Sequence, residues 1–213
     1  MPRLTVVLWL FYVSISLGMR IWIQVRTTGR TGFVLLRNRS SALQLIASAM
    51  FVSALLAGLM SPILALSFSD HPLWRPWAAP PLVSIAGAVI YAGGVTMAVV
   101  AQLTMGRSWR IGVDAGEETE LITRGPFRIV RNPIFCALQL TAVGLALLCS
   151  TRLAWLACAV QAIALELQVR GVEEPYLARV HGEVYLDYTA RVGRFLPGLG
   201  LRPRAAAGAD PRA

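Results

Sequence analysis

Residues 133–169, PIFCALQLTAVGLALLCSTRLAWLACAVQAIALELQV, decide the fold. They hold two apolar runs, 133–149 and 153–169, separated only by Ser150, Thr151 and Arg152. Each run approaches the roughly 20 residues that a helix needs to cross a bilayer. Neither alternates with the period of two that a membrane barrel strand shows. The stretch therefore reads as a tight helical hairpin inside a membrane. Three further apolar runs precede it, at 4–23, 42–68 and 82–105. The 213-residue chain is 56% hydrophobic and 15% charged, with mean hydropathy +0.60, which excludes a water-soluble domain. The expected fold is all-α, a polytopic membrane protein of about five transmembrane helices. A C-terminal amphipathic helix over 175–192 lies on, or caps, one end.

Local chemistry refines each run. Arg20 stands near the end of the first, where a long side chain is expected to snorkel toward the headgroups. No small-x-small cleavage site follows, so this run reads as a retained span and not as a signal peptide. Pro62 is expected to kink or end the second run. Gly87, Ala88, Ala92, Gly93 and Gly94 let neighbouring helices come close to the third. Residues 70–81, with four prolines and with Trp74 and Trp77, read as an interfacial connector. From Arg202 onward the chain is rich in Ala, Pro and Arg and is expected to be disordered.

The net charge of +9 comes with 20 basic residues, all of them Arg. Seventeen of the 20 fall in three segments, 20–41, 106–131 and 170–212. The positive-inside rule then gives a multi-pass protein of the cytoplasmic membrane, expected to be bacterial, with its N-terminus out and its C-terminus in. Arg clusters placed between apolar runs are membrane-topology signals, and nucleic acid is not an expected partner. Cys136, Cys149 and Cys158 are dispersed without metal-ligand spacing, so neither a metal site nor a disulfide framework is expected. Nine of the 11 acidic residues lie between Asp114 and Asp187. The chemistry is thus expected in the second half, with the first two spans as scaffold and lipid-facing wall.

Three constellations could carry that chemistry. The first runs from Gly106 through the acidic stretch from Asp114 to Glu120, then Leu121, Ile122, Gly125-Pro126-Phe127 and Arg131-Asn132-Pro133-Ile134-Phe135 at the start of the fourth span. Pro133 suits a first helical turn, whose free N–H groups favour an anionic ligand group. The same residues also fit an ordinary juxtamembrane loop with Arg at the headgroups. The second is Glu166, Arg170, Glu173 and Glu174, whose spacings place Arg170 beside three carboxylates on one helical face. It fits either a site facing a cavity or a self-satisfied ion-pair network. The third is Tyr185 and Tyr188 following Gly182 on the last helix. Nucleotide-binding glycine motifs and the metalloprotease and serine-hydrolase motifs are absent from the sequence.

In this order and spacing the residues from Gly106 to Pro197 resemble the isoprenylcysteine carboxyl methyltransferase family and the related phospholipid methyltransferase-like membrane proteins. The pattern is carried by Leu121-Ile122, Gly125-Pro126-Phe127, Arg131-Asn132-Pro133-Ile134-Phe135, Arg170 with Glu173-Glu174, Gly182 with Tyr185 and Tyr188, and Phe195-Leu196-Pro197. Asn132 replaces a family His, and Phe127 and Phe135 replace Tyr. The resemblance implies methyl transfer from S-adenosyl-L-methionine at the inner membrane face to a lipidic or prenyl-like small-molecule acceptor drawn from the lipid bilayer. It implies a cofactor site of Glu120, Leu121, Ile122, Phe127, Arg131, Asn132, Pro133, Ile134, Phe135, Glu173, Glu174, Tyr185 and Tyr188. Catalytic roles fall to Arg170, Glu173 and Glu174, with Arg170 also orienting an anionic acceptor. Residues 1–105 then form a transmembrane scaffold of three spans, 106–197 the methyltransferase core and 198–213 a disordered tail. Two other readings stay open: a membrane reductase using NADPH, and a non-enzymatic transporter or scaffold. Charges confined to the inner helix ends argue against a through-pathway.

Overall fold

A computed structural model describes residues 1–31, 41–68, 70–109 and 120–202. Most of the acidic stretch (114–119), Arg37, Arg39, Arg110, Arg204 and Arg212 lie outside the described residues. The helices are α1 Pro2–Thr28, α2 Ala42–Ser67, α3 Pro81–Met105, α4 Pro133–Cys149, α5 Arg152–Gln168 and α6 Glu174–Arg191. Helices α1, α2, α3 and the helical stretch Arg152–Arg191 are long and apolar enough to span a membrane, and the shorter apolar α4 stands among them. The chain is an all-α integral membrane protein.

Each helix begins where the sequence supplies a start. Pro occupies the first turn of α1, α3 and α4, where its missing N–H costs nothing. Ser41 Oγ accepts from Gln44 N (3.2 Å), and Thr151 Oγ1 accepts from Ala154 N (3.2 Å). Pro62 neither ends nor divides α2, which runs on to Ser67. It is buried against the bundle, and packing of this kind carries a proline within a membrane helix.

The 133–169 hairpin forms as expected. Ser150 takes the left-handed conformation (φ 52°) and its hydroxyl donates to Leu147 O (2.8 Å), closing the turn. The connector before α3 meets this turn: Trp77 N donates to Ser150 O (3.0 Å), Leu153 N to Leu73 O (2.7 Å) and Arg152 Nη1 to Pro72 O (3.0 Å). Helices α3 and α4 lie almost backbone to backbone. A Cβ on Gly144 would meet Tyr91 N at 2.6 Å, and one on Gly94 would meet Thr141 N at 2.8 Å. Among the glycines of α3, Gly87 and Gly94 make this approach, whereas Gly93 faces open space. Helix α2 packs along α5, and α1 packs on α2 through its Pro2–Val13 half.

Beyond Val13, α1 passes through a π-turn, Ser14–Met19, and moves against α3. The wider turn disturbs the regular carbonyl pairing, and Gln102 Nε2 on α3 donates to Ser16 O (3.0 Å). Arg20, just after the π-turn, does not snorkel. It is buried, donates to Gly106 O and lies over the Trp109 ring at 5.0 Å. The carbonyl and the ring inside the bundle give the guanidinium the partners that headgroups would otherwise supply.

Candidate active site

At the end of the bundle opposite the Ser150–Arg152 turn lies a cavity of about 450 Å³. That is within the usual range for a small-molecule site. Its walls have two zones. Toward the loops they carry Glu120, Arg131, Asn132, Glu173, Tyr185 and Tyr188, together with Leu121, Ile122, Phe127, Pro133, Ile134 and Phe135. Toward the membrane interior they are formed by α1 (Tyr12, Val13, Ser16, Leu17), α2 (Ala47, Ser48, Phe51, Val52, Leu55), Leu138 of α4 and Ala164 and Leu165 of α5.

Two backbone irregularities aim the charged zone. A π-turn, Val169–Glu173, joins α5 to α6. Its wider turn rotates α6 out of the register of an unbroken helix. The expected single face of Glu166, Arg170, Glu173 and Glu174 is therefore divided. Arg170 pairs with Glu166 at 2.5 Å on an exposed surface, Glu173 lines the cavity, and Glu174 turns into the protein. Farther on, Gly182 adopts φ +51°, ψ −131° inside α6, a conformation that a side chain resists. The resulting kink carries Tyr185 and Tyr188 back to the cavity, where the Tyr188 hydroxyl donates to Phe127 O (2.6 Å).

Glu174 is 1% exposed and stands at the centre of an arginine cluster. Arg131 Nη2 meets Oε1 at 2.8 Å, Arg194 meets both oxygens at 2.7 and 2.9 Å, and Arg202 Nη2 meets Oε2 at 2.8 Å. Hydrogen bonding to Glu174 pushes the Arg194 guanidinium further up from its ordinary value, so it stays charged despite burial. Arg131 also donates to Thr189 O, Val192 O and Gly200 O. Around it the chain after α6 is stitched to the start of α4: Arg131 N donates to Gly193 O (2.8 Å), and Asn132 Nδ2 to Arg194 O (3.1 Å). Residues 198–202, expected in the tail, belong to this assembly through Arg202 N to Thr189 O (3.1 Å). Three guanidiniums on one carboxylate leave positive charge at the cavity wall. Among the described residues, Arg131 Nε is buried without an acceptor.

The residues expected from the sequence are thus distributed unequally. Glu120, Leu121, Ile122, Phe127, Arg131, Asn132, Pro133, Ile134, Phe135, Glu173, Tyr185 and Tyr188 come together on one cavity, while Arg170 and Glu174 are not on its wall. Glu120 stands at an exposed rim, paired with Arg124 at 3.3 Å. Sequence reasoning missed Arg194 and Arg202, whose partner is distant along the chain. It also assigned α1 and α2 to scaffold, yet both wall the cavity. Tyr12 and Ser16, polar residues one turn apart in an apolar helix, were the available signal.

Fold and cavity together define a membrane protein with a chamber that is charged at the loop end and apolar at membrane depth. Residues 82–184, just under half of the chain, match the phospholipid methyltransferase family. The matched segment is thus similar to membrane methyltransferases, and methyltransferases of this family generally use S-adenosylmethionine. The match starts in α3 and ends before Tyr185, so it leaves out α1, α2 and the arginines after α6. No curated protein matches the chain.

Proposed function

We propose that the protein transfers the methyl group of S-adenosyl-L-methionine to a lipidic or membrane-partitioned acceptor, with a prenylcysteine-like carboxylate as the leading candidate. The observation that carries this reading is the two-zone cavity, in which a charged end adjoins an apolar chamber at membrane depth.

The donor set suits the cofactor. Glu173 and Glu120 offer carboxylates to its cationic groups, Arg131 Nε and the first turn of α4 offer donors to its carboxylate, and Ile122, Phe127, Ile134 and Phe135 offer an apolar wall to adenine. Tyr185 and Tyr188 close the other side. Glu174 acts one step back, holding Arg131 and Arg194 in place. When bound, the cofactor supplies a methyl group on a positively charged sulfonium. Transfer to a carboxylate forms a methyl ester and leaves a neutral thioether, so no base and no proton relay is required. The protein's part is alignment and exclusion of water, which favours a reaction that cancels two opposite charges.

Acceptor entry from the bilayer is supported by Val52, which lines the cavity and is also exposed on α2, beside the part of α1 that has moved off toward α3. Arg placement supports the orientation with the charged end in the cytoplasm. The test is calorimetry on the purified protein in detergent. Micromolar binding of S-adenosyl-L-methionine or its demethylated product, weakened about tenfold in Glu173→Gln, is the expected result. Absence of binding, or binding of NADPH in its place, would sink the proposal.

A further inference from the structure

We propose that Tyr12 is the floor of the acceptor chamber and sets the longest chain the enzyme accepts; this rests on the acceptor reading above. At its apolar end the chamber is closed by Tyr12, Leu55 and Leu138, one residue from each of α1, α2 and α4. The same three residues bound a second hollow of about 40 Å³ on their far side. Among the described residues, they alone line both spaces. Two cavities with one common wall are one cavity interrupted by that wall.

The far hollow is small in volume but long in reach. It runs beside α1 from Tyr12 back to Thr5, seven residues or about 10 Å along a helix. Its lining joins five small residues, Ala54, Gly58, Ala142, Ala154 and Ala157, to the larger Trp9, Leu145 and Gln161, and the small ones leave the space open. Protein interiors pack tightly by default, so a column of small residues in line with a chamber is room closed off by the wall of Tyr12, Leu55 and Leu138, of which the Tyr12 ring is the bulkiest member. Tyr12 is well suited to the task. It is buried in a cluster with Tyr91, Ala98, Ala137 and Leu145, and an aromatic ring has few rotamers with which to step aside.

The test is binding of straight-chain fatty acids of about eight to about twenty carbons to the full chain in lipid nanodiscs, read by native mass spectrometry, with thermal unfolding and S-adenosyl-L-methionine binding measured on the same preparations. In the wild type, affinity is expected to rise roughly fourfold per added methylene until the chain end meets Tyr12, and then to stop rising. In Tyr12→Ala the stopping length moves out by about four to eight carbons, the extra reach of the opened hollow. Tyr12→Phe keeps the wild-type limit, and adding Ala157→Leu to Tyr12→Ala restores it by refilling the column. Should Tyr12→Ala fail to fold, Leu138→Ala opens the same wall and the same shift is expected. An unchanged limit in a folded opened variant overturns the inference and leaves the methyltransferase reading intact. So does cofactor binding without any chain binding by the wild type. Chain binding with the shift but without cofactor binding supports the floor and overturns the proposed function.

Discussion

Glu173 and Glu174 are neighbours in the chain and serve different spaces: Glu173 lines the cavity, while Glu174 is buried with both its oxygens on arginines. The π-turn Val169–Glu173 sits at the boundary between them.

Their substitutions should separate accordingly. Removing one partner from a buried ion cluster costs about 3–5 kcal/mol, so Glu174→Ala should lower the unfolding temperature markedly and loosen the chain after α6. Glu173→Gln should cost about tenfold in S-adenosyl-L-methionine affinity, the loss of one charged hydrogen bond, with a much smaller change in unfolding. Equal effects of the two on unfolding and on affinity would contradict the division.

Arg170→Ala removes an exposed i, i+4 pair worth about 0.3–0.5 kcal/mol. Thermal unfolding and cofactor affinity are therefore expected to match the wild type. A tenfold loss of cofactor affinity would place Arg170 at the cavity after all.

The α3–α4 contact admits no side chain at Gly144. Gly144→Ala drives a methyl group into the α3 backbone and should destabilise by about 1–3 kcal/mol or more. Gly93→Ala, facing open space on the same helix pair, should be neutral or stabilising by about 0.5–1 kcal/mol. Parallel thermal melts in one detergent decide the comparison.

Gln102→Leu keeps the size of the side chain and removes the donor from Ser16 O. An unsatisfied carbonyl at the π-turn of α1 costs about 1–3 kcal/mol, and the loss should appear as a lower unfolding temperature and faster amide exchange in residues 14–19.

At Gly182 the backbone conformation, not space, is the constraint. Gly182→Ala should carry about 1–3 kcal/mol of strain, and relief by straightening α6 would draw Tyr185 and Tyr188 off the cavity. Cofactor affinity is expected to fall more than in Tyr188→Phe, which removes a single hydrogen bond of about 1 kcal/mol to Phe127 O.

Much of this protein is set by local chemistry that the sequence alone contains. Apolar run lengths determined the spans, the three residues 150–152 determined the hairpin, Pro133 determined the start of α4, and the ordered motifs from Leu121 to Tyr188 determined the family resemblance and most of the cavity's charged wall. These depend on neighbours a few residues apart and on the energetics of a backbone in lipid. Tertiary structure alone decided which glutamate faces the cavity, that Arg20 is buried and does not snorkel, that Arg194 and Arg202 close on Glu174, and that Tyr12 and α2 complete the chamber. A π-turn or a kink at a glycine interrupts the regular hydrogen bonding of a helix and persists only where distant partners compensate it, and those partners are set by helix packing across the bundle, not by any stretch of chain.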